Sequence, residues 1–285
     1  SSVPKHIILY RALGWKPPVY AHTPLLRGED GSKLGKRHGA QPALEYRAQG
    51  YLPEALLNYL ALQGWTPPAG GPEEKEFFDR EEMMDKFELE DLDATAPVYD
   101  EDKLKWLNGK WIRSLSVREL VERIQQSAAG KEKAAGETSG VGSAETPEVK
   151  EAARERFIQI VSLVQKRMET LRDFEELASF FFEPPEVNKD LFIEQAHGDK
   201  EEAREILESV IEILKTAELA NCLTDELEEA FRSEASEKGW GMRAICMTTR
   251  VAVPGKPASP PLFDCISVLG RTETISRLQT VLESL

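Results

Sequence analysis

Cysteine is scarce in this chain: three residues in 285, at Cys222, Cys246 and Cys265, an odd number with no CxxC spacing. That argues against a disulfide framework or a cysteine-based zinc site, and the low thiol content fits a reducing compartment. The four histidines, His6, His22, His38 and His197, are scattered without HxxxH or HExxH pairing, so no metal centre is expected. No apolar run approaches the ~18 to 20 residues that cross a bilayer, and nothing reads as membrane-embedded. A P-loop is ruled out by the absence of GxxxxGK[ST]. Positive charge is also short, with 36 Lys and Arg against 50 Asp and Glu and a net charge of -14. Indiscriminate nucleic-acid binding is disfavoured, because counterion release rewards basic surfaces. A local basic site stays open, since clustered cations can steer an anion to one place while the remaining surface repels it.

The length suits about two domains of roughly 100 to 200 residues. Helix signals dominate, and the expected fold class is mainly α. The opening "SSVPKHIILYRALGW" has no initiator Met and no targeting segment; it reads as a helix with Ser2 as cap and Pro4 in the first turn. The expectation is a chain that begins mid-protein. Its compartment is expected to be the cytoplasm, with a mitochondrion or plastid as the alternative.

"LPEALLNYLALQGW" predicts a buried helix starting near Pro53, with Leu56, Leu57 and Leu60 on its apolar side and Gly64, Pro67 and Pro68 as its stop. "SVRELVERIQQ" opens on a Ser116/Glu119 capping box and sets Val117, Leu120, Val121 and Ile124 on one face. Residues 126–147 contain almost no bulky apolar side chain and read as a flexible insertion or linker. Beyond them Thr146 and Pro147 start a helix whose stripe is Val149, Ala153, Phe157, Ile160, Val161 and Val164. The rest is nearly all helical. Phe174, Leu177, Phe180 and Phe181 fall at helical spacing, which favours core packing over an aromatic platform for bases.

Against this acidic background "GEDGSKLGKRHG" places Lys33, Lys36 and Arg37 within five residues, beside glycines and an Asp-Gly turn. Such a loop can wrap a polyphosphate: Lys supplies mobile charge, Arg a fork, and Gly lets backbone amides approach. On composition alone a solvated, charge-rich turn is the simpler account. The surroundings shift that balance. Residues 1 to 65, with the PKH-initiated helix, the HxPLL step at His22 to Leu26, the DGSKLGKR loop and the GYLPEALLNYLALQGW helix, closely resemble bacterial-type glutamyl-tRNA synthetases, a class I family. "VYDEDKLKWLNGKWIR" and "PLFDCISVLGR" are similar to later segments of the same family.

The resemblance implies roles for individual residues. The loop corresponds to the family's KLSKR signature, which assigns ATP binding to Lys33, Leu34, Gly35, Lys36 and Arg37. Lys36 is the expected catalytic residue, a cation poised where charge develops as pyrophosphate leaves. Gly35 stands where the family has serine; the lost hydroxyl removes one hydrogen bond, and glycine makes the closed loop harder to order. Arg167 in "VQKRMETL" and, on a looser match, Arg250 in "MTTRVAVPG" map to anticodon-reading arginines. An arginine suits that task because it can grip a base edge or stack on an unstacked base. The bland alternative for either is an internal ion pair. Lys110 and Arg113 are candidates for the tRNA backbone, while Trp106 and Trp111 are read as core anchors.

The family's HIGH motif is absent, since "HIIL" lies within the first helix. The expectation is therefore the C-terminal part of a glutamate-tRNA ligase, inactive by itself. Its regions would be the end of the catalytic region (1–68), a stem-contact region (69–125), the insertion (126–147) and an α-helical anticodon-binding region (148–285). Glutaminyl-type relatives carry β-barrels in that last part. Implied partners are ATP with Mg2+, glutamate and tRNA(Glu), with tRNA(Gln) as a second candidate, no dedicated metal site and a monomeric state. The rival readings are a free-standing tRNA-binding protein and a helical interaction protein with only relic resemblance.

Overall fold

The computed structural model describes residues 2–35, 41–65, 76–127, 147–186, 192, 200–215, 224–256 and 259–285. Among them the regular elements are helices, and strand pairing is limited to isolated bridges. Two compact units emerge: residues 1–43 with 53–107, and residues 44–52 with 108–285.

The first unit opens on α1 (Val3–Ala12), which buries none of its residues. Pro4 lies in the first turn as expected, but the Ser2 hydroxyl makes no capping bond. Ser2 itself has helical torsions, whereas a capping side chain reaches the first-turn amides from an extended backbone. After the short α2 (Ala43–Ala48), α3 (Pro53–Leu62) forms where the sequence places it, yet with a different inner face. Ala55, Asn58 and Tyr59 are buried, while Leu57 and Leu60 are 46% and 49% exposed. The reason is polar. Asn58 donates from Nδ2 to Glu76 O at 3.1 Å and accepts from Phe78 N at 3.1 Å, and the Tyr59 hydroxyl accepts from Asp100 N at 2.8 Å. These bonds turn the Asn58–Tyr59 side inward, since buried polar groups must find partners. α4 (Arg80–Lys86) starts on an Asp79/Glu82 capping box and packs on α3, with Trp65, Phe78 and Met83 forming a small core. Trp65 meets Phe78 edge to face at 5.3 Å, a favoured aromatic geometry.

α5 (Glu101–Ser114) contains Leu107 and Asn108, between which the division into units falls. Of its tryptophans Trp111 is buried as expected, but Trp106 is 39% exposed and is no core anchor. α6 (Val117–Gln126) begins on the Ser116/Glu119 box in both directions and buries Leu120, Val121 and Ile124. It packs on α7 (Pro147–Gln165), whose Phe157, Ile160, Val161 and Val164 are buried while Val149 is exposed. The expected linker falls mostly on residues outside those described.

α8 (Asp173–Phe182) packs on α7 and buries Phe174, Phe180 and Phe181, so these rings are core. Its last carbonyls are taken by two arginines. Arg277 Nη1 donates to Phe180 O at 2.6 Å and Arg156 Nη2 to Phe181 O at 3.0 Å, which satisfies acceptors that a helix end leaves open. α9 (Lys200–Lys215), α10 (Thr224–Lys238), α11 (Met242–Ala252), α12 (Leu262–Leu269) and α13 (Arg271–Ser284) complete the second unit. α9 lies against α11 and α13, α10 against α11 and α12, and α12 against α7.

Candidate functional site

The basic loop leaves a tight hairpin. Gly28 N donates to Ser32 O at 2.9 Å and Leu34 N to Leu26 O at 2.9 Å, which sets Arg27 opposite Lys33. The turn closes through Gly31 N to Gly28 O at 2.9 Å, with Gly31 at a φ of 74° that L side chains rarely adopt. Asp30 Oδ1 accepts from Ser32 N at 2.9 Å and so braces the turn. On its other side Arg27 pairs with residues 97–99: its N–H donates to Pro97 O at 2.9 Å and its C=O accepts from Tyr99 N at 2.8 Å. The root of the loop is thus the middle of three short extended segments. Sequence alternation explains which side chains face out. Leu26 and Leu34 are partly buried and Gly28 is buried, whereas Arg27 and Lys33 are exposed. Of the expected ATP-binding residues, Lys33, Leu34 and Gly35 lie on or next to this hairpin; Lys36 and Arg37 lie outside the described residues.

The second set of candidates sits in the second unit, around a buried clasp. Asn108, fully buried, accepts from Leu52 N at 2.8 Å and donates to Glu169 O at 2.5 Å. Leu171 N donates to Gly50 O at 2.9 Å. Gly50 has φ 87°, and a Cβ there would stand 2.8 Å from the backbone nitrogens of Leu171 and Arg172, so no other residue fits. Gln165, ending α7, donates to Ile112 O at 3.0 Å and Leu115 O at 2.9 Å at the end of α5. Asp173 accepts from Glu169 N, Thr170 N and Thr170 Oγ1 at 2.8 to 2.9 Å. The clasp therefore fixes the turn after α7 against α5.

Arg167 lies in that turn and is exposed, its backbone held by Arg167 N to Val164 O at 2.9 Å. Lys110 and Arg113 are exposed on the last turns of α5. A Cβ on Gly109 would meet Arg113 Nη1 at 3.0 Å and Met168 O at 3.3 Å. Hence the Arg113 guanidinium and the carbonyl of Met168, next to Arg167 in the chain, both approach Gly109. Arg250 has a different setting. Its Nη1 donates to Ser259 O at 3.0 Å, Ser259 Oγ at 2.6 Å and Pro260 O at 2.8 Å, which holds the segment before α12.

Burial pushes the Cys265 thiol up to about 12, against the opposing pull of Arg250 and, more weakly, Arg167. The thiol stays protonated and is no nucleophile at neutral pH. Cys246 is raised as well, first by burial. Among the described residues no group of three or more His, Cys, Asp or Glu is placed to hold a metal ion. No helix among them is long and apolar enough to cross a membrane.

Motif matching passes over three residues that the structure singles out: Arg27 opposite Lys33, and Asn108 and Gln165 as the polar fastenings of the clasp. For Arg27 the signal in the sequence was the alternation Leu-Arg-Gly and Ser-Lys-Leu about a turn. Asn108 gave none beyond its place in a matched segment.

Comparison with known proteins covers the whole chain. Residues 1–106 match the catalytic domain of class I tRNA synthetases (E and Q), and residues 119–282 match an anticodon binding domain. A glutamate-tRNA ligase 1 of Syntrophomonas wolfei is 34% identical over 283 residues, 99% of this chain and 53% of that protein. A glutamate-tRNA ligase of Trichlorobacter lovleyi is 32% identical over 285 residues, 100% of this chain and 56% of that protein. The crystal structure of a glutamate tRNA ligase from Elizabethkingia meningosepticum, in complex with its amino acid, superposes with a TM-score of 0.77 at 26% identity, covering 100% of this chain and 56% of that one. The chain spans about half the length of the relatives it matches.

Proposed function

The chain belongs to the glutamate-tRNA ligase family, and on that premise we propose that it is the C-terminal portion of an enzyme that activates glutamate with ATP and transfers it to tRNA(Glu). The observation that carries this reading is the hairpin at Leu26–Leu34: its backbone hydrogen bonds hold the start of the KLGKR segment and leave Lys33 exposed. In this proposal Lys36 offsets negative charge as the α-phosphorus bond to pyrophosphate breaks, and Lys33 and Arg37 hold the phosphates. Mg2+ arrives with ATP as part of the substrate. Gly35 contributes no hydroxyl and leaves the loop freer than the serine of the family signature would.

The α-helical second unit serves tRNA in the same proposal. Arg167 is the proposed anticodon reader, a role supported by its exposed side chain on a turn whose backbone is hydrogen-bonded. Lys110 and Arg113 on α5 suit the tRNA backbone, where contacts set register. Arg250 is engaged by Ser259 and Pro260, so its proposed part is to shape the segment before α12 beside the anticodon. A reducing compartment, the cytoplasm with a mitochondrion or plastid as the alternative, completes the proposal and is supported by the low thiol content.

The test is glutamylation of tRNA(Glu) by the complete reading frame that contains this chain. Lys36→Ala is expected to lower the rate by about 100-fold or more, the size seen when a preorganised charge-stabilising group is removed. An unchanged rate, or tRNA binding without any charging by the unaltered protein, would overturn the proposal.

A further inference from the structure

The hairpin contains a pairing that its own stability does not account for. Arg27 and Lys33 occupy the position flanked by the Gly28–Ser32 and Leu34–Leu26 hydrogen bonds. There the side chains leave the ladder on one face with Cα atoms about 4.5 Å apart. Like charges set directly opposite destabilise a strand pair. Val98 bridges Arg27 from the other side, shares that face and is 49% exposed. Among the described residues neither Arg27 nor Lys33 makes an ion pair. Asp30, in the same turn, accepts from Ser32 N.

The chain carries 50 Asp and Glu against 36 Lys and Arg, yet among the described residues none of these acids pairs with the two cations. Two unpaired cations held side by side by a rigid backbone therefore look like a binding device, because consistency among local interactions fails where a site needs it to fail. The spacing suits a ligand carrying several anionic oxygens, one for a guanidinium fork and one for an ammonium. Lys33 is already assigned to ATP; Arg27 is not.

We propose that Arg27 is a further phosphate-contacting residue of the loop, forming with Lys33 a two-cation shelf that receives the polyphosphate of ATP and, after the bond breaks, pyrophosphate. The inference rests on the proposed role of the loop in binding ATP. Repulsion across the pair is relieved when the anion binds, so part of the hairpin's local instability becomes preference for the loaded state. Nothing in this step changes a covalent bond.

The experiment uses the complete reading frame and compares Arg27→Gln and Arg27→Lys with the unaltered enzyme in glutamylation, varying ATP and tRNA separately. Arg27→Gln is expected to raise the KM for ATP by about ten- to a hundredfold, the range of one charge-assisted hydrogen bond, with the KM for tRNA within about twofold. Arg27→Lys should recover most of that loss. The thermal midpoint of Arg27→Gln at low salt should equal or exceed that of the unaltered protein, since a repulsive pair has been removed; an arginine with a purely structural role would lower it. An unchanged KM for ATP, a rise confined to the KM for tRNA, or a lowered midpoint would each overturn the inference. Lys36→Ala measured alongside separates the two levels. If it abolishes charging while Arg27→Gln leaves the KM for ATP alone, only the shelf is wrong; if neither matters, the assignment of the loop to ATP has failed.

Discussion

The hairpin at Leu26–Leu34 and the clasp around Asn108 are built from the same materials, a positive-φ glycine, backbone bonds and polar side chains, yet they use them in opposite ways. In the clasp Asn108 is buried and bonded on both ends of its amide, and Gly50 exists because two backbone nitrogens leave no room for a Cβ. In the hairpin Gly31 has open space around it, and Arg27 and Lys33 stand exposed against each other. The same contrast runs through the arginines. Arg277, 5% exposed, is held by Phe180 O, Val253 O and Glu273. Arg27 is held through its backbone, by Pro97 O and Tyr99 N. Burial forces polar groups into pairs, so a paired buried arginine serves folding, whereas an exposed one set opposite a like charge costs the fold stability.

The contrast is broken most directly at Asn108. Asn108→Ala leaves Leu52 N and Glu169 O without their partner and should cost about 3 kcal/mol or more in chemical denaturation, as loss of a buried amide bridging two backbone groups does. A cost below about 1 kcal/mol would mean that water or repacking replaces the amide and that the clasp is no clasp. Glycine substitutions sharpen the point. Gly50→Ala meets both an unfavourable φ and backbone atoms at 2.8 Å, whereas Gly31→Ala meets the φ alone. The expected losses are about 3 kcal/mol or more against about 1 kcal/mol, read from the same denaturation curves; equal losses would show that crowding at Gly50 relaxes. The smallest effect on stability belongs to Arg167→Ala, within about 0.5 kcal/mol because the side chain is exposed. Its expected consequence is weaker discrimination among tRNA anticodon variants in charging assays. Equal discrimination before and after the change would remove Arg167 from the site.

Much of the fold was legible residue by residue. The Ser116/Glu119 box opens α6 as its S-x-x-E pattern requires, and the stripe through Phe157, Ile160, Val161 and Val164 is the buried side of α7. Hydropathy failed on α3, where Asn58 and Tyr59 turn inward for hydrogen bonds that no periodicity reveals. It failed too on the tryptophans of α5, which separate into buried Trp111 and half-exposed Trp106. Within the candidate site, Lys33 was legible as part of a motif, but its partner Arg27 lies six positions upstream and becomes visible only when the turn closes. Arg167 and, on a looser match, Arg250 were both read as anticodon arginines; the three acceptors around Arg250 Nη1 give it a different setting.

By itself the sequence determined the family, the helical character, the caps and the cationic loop, because each depends on residues within a few positions of one another or on a string of matched letters. The tertiary structure alone decided which polar groups are buried, which arginines are committed to helix ends, and that Arg27 stands across from Lys33. Those outcomes depend on what distant segments bring to the same place, and hydrogen-bond satisfaction and Coulomb repulsion act through space, blind to the distance along the chain.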